Sequence, residues 1–433
     1  MTHATIEHSG RTATAAPAFD VEAVRRDFPI LAQRRAGKPL VFLDSAASAQ
    51  KPQAVLDAVD DCYGRYYANV HRGVHRLSQQ STDAFEEARE TARRFIGAPD
   101  ASEIVFVRGT TEAVNLVAAS WGRSNVGPGD EVLITELEHH SNIVPWQALC
   151  EERGARLVVA PIDDRGEIVL EELARLLTER TRIVAVAHVS NSLGTVNPVR
   201  EIVEQAHAAG ALVLVDGAQA APHLAIDVVA LGCDFYAFSG HKAFGPTGIG
   251  VLWGRRELLE RMPPYQFGGE MIRTVTFEKS EWAPVPHKFE AGTPNIAGAV
   301  GLSAALRYLE ALDREAVAAH EAALLAETTR LLQQQPDIHI LGTARHKTAL
   351  VSFVMDGVHA HDLGTILDQE GIAVRTGHHC AQPVMKHFGV AASARASFAL
   401  YNTLEEVGAF VAALEQVREL FGLAHEGSGA GGR

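Results

Sequence analysis

The segment SGHKAFGPTGIG at 239–250 contains a lysine whose surroundings favour chemistry. Lys242 follows the apolar run DFYAF at 234–238 and is flanked by Ser239, His241 and glycines. Burial beside other cationic groups lowers the pKa of a lysine and makes its amine nucleophilic. We therefore interpret Lys242 as a Schiff-base lysine. The alternative is a solvated surface lysine, which the preceding apolar run disfavours.

An acidic residue and an amide follow the apolar run LVLV at 212–215. Asp216 ends this run, and a buried carboxylate must be paired or functional because an isolated buried charge is costly. A protonated pyridine nitrogen is a suitable partner, and Gln219 can then hydrogen-bond the neighbouring ring oxygen. The alternative for Asp216 is a cap for the next helix.

Two threonines follow the apolar run EIVFV at 103–107. Gly109 can form a turn, after which Thr110 and Thr111 place hydroxyl and amide groups at the start of a helix. Helix N-termini bind phosphate groups, so this segment is a candidate phosphate site. The alternative is a plain threonine cap.

Two further strand ends carry polar side chains. His139 follows EVLIT at 131–135 and can stack on a flat ring or transfer protons, the alternatives being a metal ligand or a structural histidine. Asn191 follows RIVAVA at 182–187 and would face the same edge, the alternative being a turn residue before Gly194.

These runs alternate with helix-like segments, which favours a doubly wound α/β layer of largely parallel strands. Ligands of such sheets bind beyond the carboxyl ends of the strands, where all five groups would meet. After about residue 295 helices precede short strands, which is typical of a smaller α+β domain. We predict these units: a disordered tail at 1–20, a segment packing on the small domain at 21–40, a large domain at 41–294, a small domain at 295–425 and a disordered tail at 426–433.

Composition limits the classes of function. The net charge of -14 argues against a nucleic-acid partner, which would need a basic stripe. The four cysteines are Cys62, Cys150, Cys233 and Cys380, with no CxxC pair, which suits free thiols in a reducing cytosol. The sequence has no secretory signal pattern and no run of apolar residues long enough to span a membrane. We therefore expect a cytoplasmic protein.

Together the strand ends offer a phosphate cradle, a stacking histidine, an acid, an amide and an imine-forming lysine, which are what pyridoxal 5'-phosphate (PLP) requires of a protein. The sequence resembles the class V aminotransferase family of fold-type I PLP enzymes, and within it the SufS/CsdA-type (group II) cysteine desulfurases. The resemblance extends from about residue 21 to residue 421. Its motifs are RGTTEAVNLVA at 108–118, EHHSNIVPW at 138–146, DGAQ at 216–219, SGHKAFGPTGIG at 239–250, GTPN at 292–295, RTGHHCAQP at 375–383 and RASFALYNT at 395–403.

The resemblance implies a large domain with a mostly parallel seven-stranded sheet between helices, and a small α+β domain carrying the cysteine loop. It also implies a site. The catalytic residues would be Lys242, His139 and Cys380. The cofactor ligands would be Thr110, Thr111, His139, Asp216, Gln219, Ser239, His241, Lys242 and, from a homodimer partner, Thr293. The substrate carboxylate would be bound by Asn191, Arg375 and Arg395.

We expect the Lys242 amine to remove the substrate Cα proton and His139 to assist protonation. Cys380, on a loop that we expect to be mobile, would attack the substrate sulfur, because basic neighbours favour the thiolate. The alternative for His378, His379 and Cys380 is a zinc half-site, but no second ligand cluster has metal-site spacing. We therefore predict no metal. The other three cysteines are expected to be buried and inert.

The resemblance further implies L-cysteine as substrate and a small sulfur-acceptor protein, SufE- or SufU-like, in iron–sulfur cluster assembly. Three alternatives stay open. A selenocysteine lyase acting on L-selenocysteine, or another class V enzyme, would share the PLP machinery, although an aminotransferase has no need of Cys380. A non-catalytic scaffold would be expected to have lost the lysine or the aspartate, and both are present.

Overall fold

The computed structural model describes residues 19–35 and 37–423. The predicted tails at 1–20 and 426–433 fall almost wholly outside these residues and stay predictions. The strands, numbered in chain order, are β1 (Arg34–Arg35), β2 (Lys38–Pro39), β3 (Val41–Phe42), β4 (Ile104–Val107), β5 (Glu131–Thr135), β6 (Arg156–Ala160), β7 (Thr181–Ala187), β8 (Leu212–Asp216), β9 (Phe235–Ser239), β10 (Gly250–Gly254), β11 (Ile272–Val275), β12 (Ser280–Trp282), β13 (Ile338–Leu341), β14 (Leu350–Met355), β15 (Ile372–Ala373), β16 (Arg375–Gly377) and β17 (Ser393–Ser397).

Helices cover the strands. They are α1 (Val21–Arg26), α2 (Gln53–Asp61), α3 (Arg76–Phe95), α4 (Thr110–Val117), α5 (Arg123–Asn125), α6 (Val144–Arg153), α7 (Leu170–Leu176), α8 (Val199–Ala208), α9 (Val228–Leu231), α10 (Arg256–Arg261), α11 (Ile296–Glu310), α12 (Arg314–Gln333), α13 (Ala360–Gln369), α14 (Gln382–His387) and α15 (Leu404–Phe421). None of the described helices combines the length and the apolar character that crossing a bilayer requires.

The central sheet has seven strands in the order β4-β10-β9-β8-β7-β5-β6. The chain runs parallel through β6, β5, β7, β8 and β9, and β10 is antiparallel to both β9 and β4. The mostly parallel seven-stranded sheet is therefore confirmed. The carboxyl ends of β4, β5, β7, β8 and β9 meet at one edge, which is where the predicted polar side chains follow.

Burial explains which strands are apolar on both faces. All residues of β4, β5, β9 and β10 are buried, because helices cover both sides of the sheet. The exception is β6, whose Val159 is 47% exposed. This strand lies at the edge of the sheet and pairs only with β5, so its outer side has less cover.

The smaller unit is built on a four-stranded antiparallel sheet in the order β13-β14-β17-β16. Its own apolar core includes Phe353 and Phe410, whose rings meet edge to face. A capping box between Thr403 and Glu406 starts α15, which contributes Phe410. The predicted α+β architecture of this part is confirmed.

The structure places two segments differently from the predicted domain division. Val41 and Phe42, which we assigned to the large domain, pair with β15 of the C-terminal part. The helix α11, which we assigned to the small domain, is buried almost all round and packs against α2 and α3. In the predicted 21–40 segment, Arg25 contacts Tyr401 and Glu406. The exact domain boundaries stay predictions.

Two local features of the elements bear on the site. The helix after β4 begins at Thr110, so both threonines belong to its first turn. The chain changes sheet between two short strands near the cysteine: β15 pairs with β3, and β16 pairs with β17. This change of sheet places Arg375 directly opposite Arg395 on neighbouring strands.

Candidate active site

A cavity of about 550 Å³ lies at the carboxyl edge of the central sheet. It brings together all the predicted site residues except one, and these are Thr110, Thr111, His139, Asn191, Asp216, Gln219, Ser239, His241, Lys242, Arg375, Cys380 and Arg395. The exception is Thr293, which lines a separate cavity with Arg108 and Glu112. Thr293 therefore does not line this cavity within its own chain.

The first turn of α4 forms one end of the cavity. The amide of Thr110 donates to Ser239 Oγ at 2.9 Å, and the two hydroxyl oxygens are also 2.9 Å apart. Gly109 precedes them with φ 154°, and a Cβ on it would lie 3.1 Å from Ser239 Oγ. Hydroxyls and free amides at a helix N-terminus suit an anion such as phosphate.

His241 lines the same cavity and contacts a second lysine through its backbone. Its pKa is lowered to about 4 by burial, and by the charges of Lys242 and Lys51, so the ring is neutral near pH 7. The Lys51 ammonium donates to the carbonyl of His241 at 3.1 Å. The neutral imidazole can donate one N–H toward an anion.

Asp216 and Lys242 are the two central ionisable groups of the cavity. Burial raises the pKa of Asp216, and the charge of Lys242 opposes this rise. Burial lowers the pKa of Lys242, which Asp216 opposes and Arg395 reinforces. Asp216 Oδ1 accepts from the amide of Ala218 at 2.9 Å. The arrangement provides a carboxylate for a protonated ring nitrogen and an amine that is easily deprotonated.

Gln219, which follows β8, and His139, which follows β5, both line the cavity. The Gln219 amide donates to the carbonyl of Ala46 at 2.6 Å. The Nδ1 atom of His139 accepts from the amide of Ser141 at 3.0 Å, so the ring proton lies on Nε2. Burial lowers the pKa of His139 to about 3, helped by electrostatic interactions with Lys242, His140 and Arg395, which keeps the ring neutral.

The arginines at the other end of the cavity share a carboxylate that the sequence reasoning missed. Arg375 Nη2 lies 3.1 Å from one oxygen of Asp44, and Arg395 Nη2 lies 3.4 Å from the other. Arg395 Nη1 donates to the carbonyl of Asn191 at 2.8 Å. Arg395 Nε is buried and has no hydrogen-bond partner among the described residues, so this guanidinium can still bind a carboxylate.

The cysteine lies on a tight turn at the mouth of the cavity. Cys380 is exposed, whereas Cys62, Cys150 and Cys233 are buried. Burial raises the pKa of Cys150 to about 11 and that of Cys233 to about 12, so these thiols stay protonated. The expectation that the other three cysteines are buried is confirmed.

Two more residues beside the cavity escaped the sequence reasoning. Glu138 is fully buried and accepts from Thr135, Asn142 and the amide of Ala187. His140 contacts the Cys380 turn. Both residues flank His139 in the segment EHHSN. The sequence feature that could have identified them is that this segment follows a buried strand. For Asp44 the signal was an acidic residue after the apolar run VFL.

The donor set fits PLP. The first turn of α4 with Ser239 and His241 suits the phosphate, Asp216 the pyridine nitrogen and Lys242 the aldehyde carbon. The described residues contain no group of three or more His, Cys, Asp or Glu side chains placed to hold a metal ion.

The comparisons with known proteins identify the family of this chain. The family model Aminotransferase class-V matches residues 41–410. A cysteine desulfurase of Synechococcus elongatus is 54% identical over 95% of this chain, which spans 66% of that relative's length. A probable cysteine desulfurase of Halalkalibacterium halodurans is 53% identical over 93% of this chain and 99% of its own length.

A solved structure extends the likeness to three dimensions. The crystal structure of the cysteine desulfurase CsdA from Escherichia coli superimposes with a TM-score of 0.87 at 41% identity, covering 93% of this chain and 99% of that one. Proteins of this family depend on PLP. The sheet-edge cavity, its PLP-compatible groups and the match over most of the chain agree, and the chain belongs to the class-V aminotransferase family.

Proposed function

We propose that the chain is a cysteine desulfurase that converts L-cysteine to L-alanine and holds the sulfur as a persulfide on Cys380. The observation that supports this most directly is the exposed Cys380 thiol, which lines the same cavity as Lys242 and Arg395. The relatives named cysteine desulfurase point to the same activity. An aminotransferase would need the lysine and the arginine but would have no use for the thiol.

The residues of the cavity divide the work of holding PLP and substrate. When bound, PLP supplies an electron sink that stabilises negative charge at the substrate Cα. Asp216 holds a proton on the pyridine nitrogen, which preserves that property. Arg395, with Arg375 and Asn191, binds the substrate carboxylate, for which a planar guanidinium has the matching geometry. The remaining cofactor ligands are Thr110, Thr111, His139, Gln219, Ser239, His241 and Thr293 of the partner subunit.

Three side chains carry out the steps on the substrate. The Lys242 amine accepts the Cα proton, since burial favours its neutral form. The Cys380 thiolate forms a bond with the substrate sulfur, the Cβ–S bond breaks, and its electron pair stays on the carbon fragment. That fragment gains protons and leaves as alanine. His139, neutral with its proton on Nε2, is placed to donate one of them.

The proposed function also involves other protein chains. We propose that the protein forms a homodimer, because Thr293 lies outside the cavity of its own chain. We also propose that it is cytoplasmic. We also propose that a small acceptor protein, SufE- or SufU-like, takes the sulfur from Cys380 for iron–sulfur cluster assembly.

Incubation with L-cysteine followed by peptide mass spectrometry tests the proposal. We expect added sulfur on the peptide that contains Cys380, with alanine released in equal amount. The variant Cys380→Ser should lose both while keeping the visible absorbance of the bound cofactor, and Cys150→Ala is the control. Cysteine turnover retained by Cys380→Ser would refute the nucleophile. Faster release of selenium from L-selenocysteine by Cys380→Ser than of sulfur by the wild type would favour a selenocysteine lyase.

A further inference from the structure

The Cys380 turn has a backbone conformation that needs outside support. His379 and Cys380 both have φ of 54°, in the left-handed region that residues with a Cβ rarely adopt. Each such residue costs about 1 kcal/mol or more, and the conformation persists only where surrounding contacts hold it. Within the turn, the amide of Ala381 donates to the carbonyl of His378 at 2.8 Å.

Part of the support comes from His140, which follows β5 of the large sheet. The amide of His140 donates to the carbonyl of Cys380 at 2.8 Å. The amide of Gln382 donates back to Nε2 of the His140 ring at 3.1 Å. His140 therefore binds the chain at Cys380 and again two residues after it, through its backbone and through its side chain.

The position of His140 ties this support to the cofactor cavity. It directly follows His139, whose ring lines the cavity, and it begins the short 3₁₀ helix His140–Asn142. The ring can accept from Gln382 only when Nε2 carries no proton. Burial and the neighbouring His378 lower the pKa of His140, which favours that form.

We propose that His140 is a positioning residue for Cys380: its backbone and ring together fix the turn so that the thiol stays at the cavity that contains Lys242. This inference rests on the proposed function, because it assigns His140 a role toward the nucleophile. His140 does not line the cavity and touches neither substrate nor cofactor in this proposal. It acts through Cys380 and Gln382.

Three substitutions of His140 separate the effect of the ring's acceptor nitrogen from the effect of its bulk. His140→Phe keeps a planar ring and removes the acceptor nitrogen, and His140→Ala removes both. His140→Gln restores an oxygen that can accept from the Gln382 amide. The control is His339→Ala, because His339 is exposed and pairs with Asp356 on the surface.

The readouts are chosen so that general destabilisation would not imitate them. In holoenzyme, we measure alkylation of Cys380 by iodoacetamide and a single turnover of alanine formation with saturating L-cysteine. Loss of the ring hydrogen bond is worth about tenfold in a rate that depends on it. We expect His140→Phe and His140→Ala to slow the single turnover about tenfold and to raise the alkylation rate severalfold, with PLP content unchanged and His140→Gln close to wild type.

The outcomes separate this inference from the proposed function. Wild-type protein that adds no sulfur to Cys380 refutes the proposed function itself. Wild type that forms the persulfide, with His140→Phe equal to it in turnover and alkylation, overturns only the positioning role. His140→Gln as impaired as His140→Ala also overturns it, because the acceptor is then not the property that matters.

Discussion

The side-chain amide of Asn191 donates a 2.5 Å hydrogen bond to the carbonyl oxygen of His379. At the same time the backbone carbonyl of Asn191 accepts from the Arg395 side chain at 2.8 Å. Asn191 follows β7 of the large sheet, whereas His379 belongs to the turn that carries Cys380. The residue that we propose as part of the carboxylate clamp therefore also holds the backbone next to the nucleophile.

Replacing Asn191 should affect both substrate binding and sulfur removal. We expect Asn191→Ala to lower kcat/KM for L-cysteine by about tenfold to a hundredfold. The variant loses the side-chain amide that is proposed to bind the substrate carboxylate and that also bonds the His379 carbonyl. The cofactor absorbance should not change. Steady-state alanine formation measures the effect, with Asn125→Ala as control, since Asn125 makes a local bond to Trp121. Activity equal to wild type would show that neither the proposed carboxylate contact nor the side-chain bond to His379 matters.

Asp44 should contribute to stability as the counter-ion of two arginines. Arg375 and Arg395 lie opposite each other on β16 and β17, where like charges repel, and Asp44 contacts both. We expect Asp44→Asn to lower the free energy of unfolding by about 2–4 kcal/mol, because Arg395 is left buried without its carboxylate. Urea unfolding measures this value. The control is Asp356→Asn on the surface, and an unfolding free energy of Asp44→Asn equal to that of the control would contradict the prediction.

Gly109→Ala should weaken PLP binding. The added Cβ would lie 3.1 Å from Ser239 Oγ, at the end of the cavity that suits the phosphate, and φ of 154° disfavours a side chain. We expect PLP affinity to fall by about tenfold, measured by dialysis and absorbance, from strain of about 1–3 kcal/mol. Gly210→Ala separates the two effects, because Gly210 has φ of 82° with no atom within 4 Å of an added Cβ. Unchanged PLP affinity would contradict the assignment of this end to the phosphate.

His188 should make stability depend on pH. Burial lowers its pKa to about 4, and its ring contacts Tyr236 Oη at 3.1 Å. The unfolded chain takes up a proton below about pH 6.5, while the folded chain does so only near pH 4. The contribution is therefore complete above about pH 6.5 and is lost as the pH falls from there toward about 4, by roughly 3 kcal/mol.

Urea unfolding at about pH 7 and about pH 5 measures this loss. The His188→Gln variant should show a flatter decline of unfolding free energy between these pH values, since glutamine does not titrate. His339→Gln changes an exposed histidine and should decline like the wild type. A decline in His188→Gln as steep as in wild type would exclude His188 as a cause.

The sequence by itself determined the alternation of strands and helices and the order of polar groups along the chain. Apolar runs followed by Thr110, His139, Asn191, Asp216 and Lys242 specified a parallel sheet with one functional edge, because strands buried on both faces need no periodic polar residue. For the same reason the strand bounds differ from prediction by a residue or two at most in the large sheet.

Only the tertiary structure decided which groups meet across long sequence distances. Asp44 contacts arginines more than three hundred residues away, and His140 contacts a turn that lies in another part of the chain. The exposed edge of β6 and the change of sheet between β15 and β16 likewise depend on which strands pair, and local sequence patterns do not predict that pairing. Periodicity reports the face of an element, but side-chain pairing depends on how the elements pack, and that is settled by the whole fold.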